Sequence, residues 1–485
     1  MAFTSHIFLF YFLPAVLLLY HLIPRRCLAI RNILLIAAGY VFYAWVSPWF
    51  AALLFGMTVV NYALSRIIAA TAAKRTRILL TSLAVAIDLT VLGFFKYAVF
   101  VEGNLNSMLL LVGRDMLPVL RIALPVGISF YTFKVVSYIV DVYRGQSPPA
   151  RSLLDFACYV SFFPQLLSGP IQRFGTIDAK SDPASTFADQ LAGRSHTLDK
   201  FSWGAALFML GFAKKILLAN GVAQIADAVF SAASPGMTDA WFGALAYSFQ
   251  LYFDFSAYSE MAIGIGLMFG FECPRNFDAP YRAESFSVFW RRWHISLSSW
   301  LRDYLYIPLG GSRTGPGRTY ANLLIVFLLC GLWHGAGWTF IVWGAWHGLW
   351  LIVERIQRGA GPRGQTEPAG FLMLHVSRLS TFASVTLGWV IFRATSLSEA
   401  WRMLMVLLWP RATEGGSTLL SAVIYTRGHL VIMALCALLV FQPVQGFDWT
   451  RRLSWPKVLA LVVLFALSLM TMFAQSFRSF LYFQF

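Results

Sequence analysis

Three histidines stand in surroundings that a membrane chain ordinarily keeps apolar. His334 lies in "CGLWHGAGW", inside the apolar stretch Tyr320–Val353, with Trp333 beside it. A titratable ring at such a depth is costly unless it lines a cavity or serves chemistry. Imidazole, with an ordinary pKa near 6.5, suits one task above others: taking the proton from a hydroxyl as it attacks an activated acyl carbonyl. The plainer reading is a packing histidine that donates to a backbone carbonyl. His294, in "RRWHISLS", admits both readings, and His347, in a second "WHG", leans toward packing.

A second group of polar residues interrupts "YSFQLYFDFSAYSEMAIGIGLMFGF", Tyr247–Phe271, where Gln250, Asp254, Ser256, Tyr258 and Glu260 punctuate an otherwise apolar helix. A carboxylate at the centre of a span costs ~2.5–3.5 kcal/mol, so these side chains must face something polar. Asp254 either pairs with a cation elsewhere in the bundle or orients a catalytic histidine. Gly264, Gly266 and Gly270 read as close helix packing, not a dinucleotide fingerprint.

Between Tyr281 and Arg318 the arginines 282, 291, 292, 302, 313 and 318 face only Glu284 and Asp303, amid Trp290, Trp293, Trp300, Tyr304 and Tyr306. Such an excess of positive charge belongs at the cytosolic face, on an interfacial or re-entrant helix. It is either a positive belt with its aromatic anchors or a reception site for phosphates, which Arg291, Arg292, Arg302 and Arg313 would hold in bidentate fashion. "GGSRTGPGR", Gly310–Arg318, lacks Walker spacing and is weak evidence for a phosphate loop.

The elements that position these residues follow from composition. Of 485 residues, 58% are hydrophobic and 12% charged, with mean hydropathy +0.65; a soluble chain carries roughly twice that charge. Runs such as Ile7–Ile23, Leu79–Val101 and Val458–Met472 are continuous, not alternating, which excludes a β-barrel and predicts a polytopic all-α membrane protein. About ten to thirteen membrane segments are expected, some too short or broken to be simple spans.

Tyr320–Val353 would be ~50 Å long as one helix, too long for one crossing. Glycines 331, 335 and 337 interrupt it, and arginines flank both ends, so it should enter and return with His334 near the turn. The net charge of +16 is scattered through short loops, which argues against nucleic acid. Arg25 and Arg26 follow the first apolar run, predicting a retained anchor with the N-terminus outside. The five cysteines lack metal-ligand spacing and read as packing residues; no metal and no bound cofactor are expected.

Composition divides the chain into N-terminal helices (1–143), a region with the polar stretch at 172–200 lying at the membrane surface (144–200), a chemically unusual core (201–358), and C-terminal helices opening with the loop "GAGPRGQTEPAG" (359–485).

The run from "YSFQLYFDFSAYSE" through "NFDAPYRAESFSVFWRRWHISLSSWLRDYLYIPLGG" to "CGLWHGAGWTFIVWGAWHG" resembles the membrane-bound O-acyltransferase (MBOAT) family, in its alginate O-acetyltransferase branch. "LPVGISFYTFKVVSYIVDVYRG", "YVSFFPQLLSGPIQRF" and the N-terminal "FLFYFLP" match the same branch. The resemblance implies a single membrane domain of helices and re-entrant segments around a central tunnel. His334 would be its signature histidine and His294 its second motif histidine; Asp254, Gln250 and Trp333, singled out here by their polar character and place beside these motifs, are expected to line the tunnel in support. Acetyl-CoA would donate from the cytosol, and periplasmic partner proteins would pass acetyl groups to a polysaccharide such as alginate, at the bacterial inner membrane. Lys134 departs from the branch, where an uncharged polar residue is expected. Two other classes compete: a transporter that consumes no acyl-CoA, and a membrane scaffold that tolerates loss of both histidines.

Overall fold

The continuous apolar runs fold as helices, and no strand occurs among the described residues. The computed structural model describes residues 1–45, 47–175, 186–359, 370–409, 418–474, 480 and 481, so parts of both polar stretches expected as surface loops lie outside it. The principal helices are α1 (Leu13–Leu22), α2 (Leu28–Ala44), α3 (Pro48–Ala70), α4 (Lys74–Leu111), α5 (Ile128–Arg144), α6 (Leu153–Ser161), α7 (Leu198–Ala213), α8 (Asn220–Ser231) and α9 (Met237–Met268). They continue with α10 (Phe286–Arg292), α11 (Ile295–Leu301), α12 (Pro316–His334), α13 (Trp338–Arg358), α14 (Phe371–Arg393), α15 (Leu397–Leu408), α16 (Arg427–Val440) and α17 (Trp455–Ala474).

Among the described residues four helical stretches are individually long and apolar enough to cross a bilayer: α3, α4, α17 and Leu198–Ser231, which joins α7 to α8 through a π-helical turn at Lys214–Ala219. A fifth arises if Thr418–Ile424 and α16, bent by 60° at their junction, count as one. The sequence count of ten to thirteen included shorter pieces. Phe8–Leu22 and α2 are apolar but short, and Tyr320–Val353 is cut into α12 and α13.

The chain divides into two units, one formed by residues 1–208 and 259–274, the other by 209–258 and 275–485. The first is organised around α5, whose residues from Ile128 to Ile139 are all buried. Gly127 opens it at φ +79°, and a Cβ there would stand 2.5 Å from the Leu166 carbonyl oxygen, so only glycine fits. Lys134, the departure noted in the sequence, is buried in this helix; its Nζ donates to the Tyr159 carbonyl at 2.6 Å and lies 4.4 Å from the centre of that tyrosine ring. Gly264 meets Gly204 backbone to backbone, a Cβ on either falling 2.5 Å from the other's carbonyl oxygen, which is the glycine packing the sequence suggested.

In the second unit α12 and α13 form the expected hairpin. A Cβ on Gly331 would sit 2.1 Å from the Phe340 carbonyl oxygen, and one on Gly344 would sit 2.2 Å from that of Phe327. Two glycines therefore let the helices touch along their backbones and hold the turn at 335–337 in place.

Candidate active site

His294 is placed by a break between two short helices. Ser285 caps α10 by accepting the Val288 N–H, α10 ends at Arg292, and His294 takes a left-handed conformation (φ +44°) before α11 begins. Such a conformation is strained for a residue with a Cβ, and surrounding bonds must hold it there. Residues 276–278 do so. The Asp278 N–H donates to the Arg292 carbonyl and the Ile295 N–H to the Asn276 carbonyl, each at 2.9 Å.

The Asn276 side chain then fixes the imidazole. Its Oδ1 accepts from the Ser296 backbone N–H (3.2 Å) and hydroxyl (2.9 Å) and lies 3.2 Å from His294 Nδ1. A backbone N–H can only donate, so the atom facing it is the amide oxygen, and His294 Nδ1 must carry the proton to bond there. That tautomer leaves the lone pair on Nε2, the state a general base needs. The ring is fully buried against Phe255.

His334 closes α12 at the hairpin turn, near which the sequence placed it. Gly335 follows because a Cβ there would fall 2.1 Å from the Phe340 ring. The imidazole is 5% exposed and packs edge-on against Trp343 (5.0 Å between ring centres) and Phe392 (5.4 Å). Trp333 links the two histidines: its ring lies 6.1 Å from that of His294 and 4.9 Å from that of His334. Thus one indole touches both imidazoles.

The other polar candidates divide. His347 is buried, and its Nδ1 accepts from the Trp290 indole N–H at 3.3 Å instead of donating to a carbonyl. Asp254 does not orient a histidine. Its carboxylate is taken by Lys215, and its other oxygen accepts the Leu481 N–H at 2.8 Å, so the pairing reading holds and the orienting one is corrected. The Lys215 ammonium and the Leu481 N–H satisfy the carboxylate without any contact to imidazole. Gln250 is buried with its side-chain oxygen unsatisfied among the described residues, and Tyr252, two positions on, donates to Gln445 at 2.5 Å.

Arg291, Arg302 and Arg313 are exposed and Arg292 half-buried, with Arg302 bound through two nitrogens to Asp303. They surround the buried His294 in sequence, but only Arg292 takes part in its support, through its carbonyl. Sequence reasoning missed Asn276 and Lys215. Asn276 sits in "NFDAPYR", where an asparagine among Pro and Asp residues reads as an ordinary turn, and Lys215 is one of a "KK" pair that looks like interfacial charge.

A sequence profile described as MBOAT, membrane-bound O-acyltransferase family, matches residues 141–374, which include both histidines and Asn276. Over 519 aligned residues, covering all of both chains, the protein is 44% identical to one named probable alginate O-acetylase AlgI from Azotobacter vinelandii. The chain belongs to the membrane-bound O-acyltransferase family. It is 33% identical over its full length, and 97% of the relative's, to a protein named peptidoglycan O-acetyltransferase from Helicobacter pylori. It also shares 32% identity over 242 residues, 47% of this chain and 56% of the relative, with one named teichoic acid D-alanyltransferase from Streptococcus thermophilus. As a member of the family this chain is a membrane-embedded O-acyltransferase.

Proposed function

We propose that the protein is an O-acetyltransferase that takes acetyl groups from acetyl-CoA at the cytosolic face of the bacterial inner membrane and passes them through its membrane-embedded core. They reach a polysaccharide such as alginate with the help of periplasmic partner proteins. The observation that supports this best is the pair of buried imidazoles held by Trp333 and Asn276. Full-length likeness to proteins named for alginate O-acetylation favours that acceptor, and the likeness to a peptidoglycan O-acetyltransferase names the second candidate.

In this reading His334 is the general base. It takes the proton of the acceptor hydroxyl as the oxygen attacks the thioester carbonyl; the C–O bond forms, the C–S bond breaks, and the thiolate of coenzyme A leaves and is protonated. His294, with its lone pair on Nε2, is the second base and assists proton movement. Trp333 keeps the two rings at fixed spacing, and burial excludes the water that would hydrolyse the thioester. Arg291, Arg292 and Arg313 receive the donor's phosphates from the cytosol, while Arg302, already tied to Asp303, contributes least. The N-terminus lies outside, as the arginines after the first apolar run require under the positive-inside rule.

The test is thiol release from acetyl-CoA by the purified protein in nanodiscs with acceptor and partners supplied. His334→Ala should lower turnover by about 10²–10⁴-fold, the range a general base contributes, with membrane insertion intact. Undiminished thiol release by that variant would remove His334 from the chemistry and return weight to transport or scaffolding.

A further inference from the structure

A second polar cluster lies in the first unit and has no part in the chemistry above. Arg31 and Arg194 are 2% and 8% exposed, and among the described residues neither these two nor Arg25 has a carboxylate within ion-pair distance. Arg31 donates twice to the Ile23 carbonyl (3.1 and 2.6 Å) and once to His196 Nε2 (3.1 Å). Arg194 donates from Nε to the Tyr20 hydroxyl (2.7 Å) and from Nη1 to the Gln190 carbonyl (3.2 Å), and its buried Nη2 has no partner among the described residues. The nearby carboxylate, Glu272, is already taken by Lys200 at 2.5 Å.

Guanidinium stays charged in any protein environment, so two of them buried without a carboxylate leave uncompensated positive charge. Beside them is a cavity of about 290 Å³ lined by His21, Arg25, His196, Thr197 and Gly270 among others. Its donors are set by their partners. His196 Nε2 accepts from Arg31, so the ring's proton is on Nδ1; Thr197 Oγ1 accepts the Lys200 N–H at 3.1 Å, so its own proton is available. The cavity reaches Leu198, where α7 begins, and the positive end of that helix dipole adds to the field. Because Leu198 also opens a membrane-crossing stretch, the cavity lies at one bilayer interface.

We propose that this cavity binds a phosphate-bearing anion at the membrane interface, with Arg25, His196 and Thr197 as its donors and the buried Arg31 and Arg194 as its countercharge. The phosphate belongs either to an anionic phospholipid headgroup or to a soluble nucleotide-type ligand. The test reads binding, not turnover, so it stands apart from the assignment of His334. Full-length protein in detergent is titrated with dioctanoyl phosphatidylglycerol, with dioctanoyl phosphatidylcholine and with coenzyme A, following the thermal unfolding midpoint and intrinsic fluorescence.

Saturable binding of the phosphatidylglycerol, weakened about tenfold or more by Arg25→Glu as expected for loss of a charge-assisted contact, establishes the lipid source. The same loss seen with coenzyme A establishes the soluble one. Arg25 is exposed, so its replacement leaves folding untouched. Arg194→Gln should weaken the same binding about tenfold, measured below the variant's own unfolding midpoint because it also gives up the bonds to the Tyr20 hydroxyl and the Gln190 carbonyl. Absence of saturable binding, binding indifferent to Arg25→Glu, or equal binding of phosphatidylcholine overturns the proposal.

Discussion

The two units treat buried positive charge in opposite ways. In the second, Lys215 is buried beside Asp254, and the carboxylate's remaining oxygen takes a backbone N–H, so the pair is closed on itself. In the first, among the described residues, Lys134 meets a carbonyl and aromatic faces but no carboxylate, and Arg31 and Arg194 meet carbonyls, a hydroxyl and an imidazole. A closed pair is a structural device, valued for what happens when one half is removed. An open cation is different: its field is left for something else to use.

That contrast can be broken most forcefully at Asp254. Asp254→Ala should destabilise the protein by about 3–5 kcal/mol by stranding Lys215, and Lys215→Met combined with Asp254→Leu should recover most of the loss. Unfolding midpoints of the single and double variants in detergent check this, and a double variant no better than the single would show that the pair is not closed. Lys134→Met should cost far less, about 1 kcal/mol, because one hydrogen bond is lost while methionine fills the space and no carboxylate is stranded. The same midpoint measurement decides it.

The smallest effect concerns His196, which lies between membrane-crossing stretches. Burial first, and then the neighbouring arginines, push its pKa down to about 4. A group whose folded pKa lies below its ordinary value of about 6.5 favours the fold fully above pH 6.5 and loses that contribution as pH falls toward 4. His196→Gln should therefore flatten the decline in unfolding midpoint between pH 6.5 and 4 relative to the parent protein. Parallel declines would show that neither burial nor the neighbouring arginines depress His196.

The helical membrane character was legible because apolar runs without alternation have one solution in lipid, and the α12–α13 hairpin because flanking arginines and three glycines constrain where a 34-residue apolar stretch turns. His334 was legible for the same reason. The tautomer of His294 was not, since it rests on Asn276, eighteen positions away and brought alongside by backbone bonds that no spacing advertises. Nor could sequence distinguish Lys215, which meets a carboxylate 39 positions away, from its neighbour Lys214. The conspicuous arginines of 291–313 turned out largely exposed, while Arg31, alone in an apolar helix, is buried. Local density of charge marks an interface; isolation of a charge in an apolar run marks burial.

The π-helical turn at Lys214–Ala219 bears on how this chain tolerates insertion and deletion. Bonding from each residue to the fifth behind it accommodates one more residue than an α-turn would. Elsewhere in a helix an extra residue rotates everything beyond it by about 100° and spoils the packed face, but here the widened turn takes up the surplus and α8 keeps its orientation. Alignments of relatives should therefore admit a single-residue gap between 214 and 219 with the flanking apolar pattern unchanged.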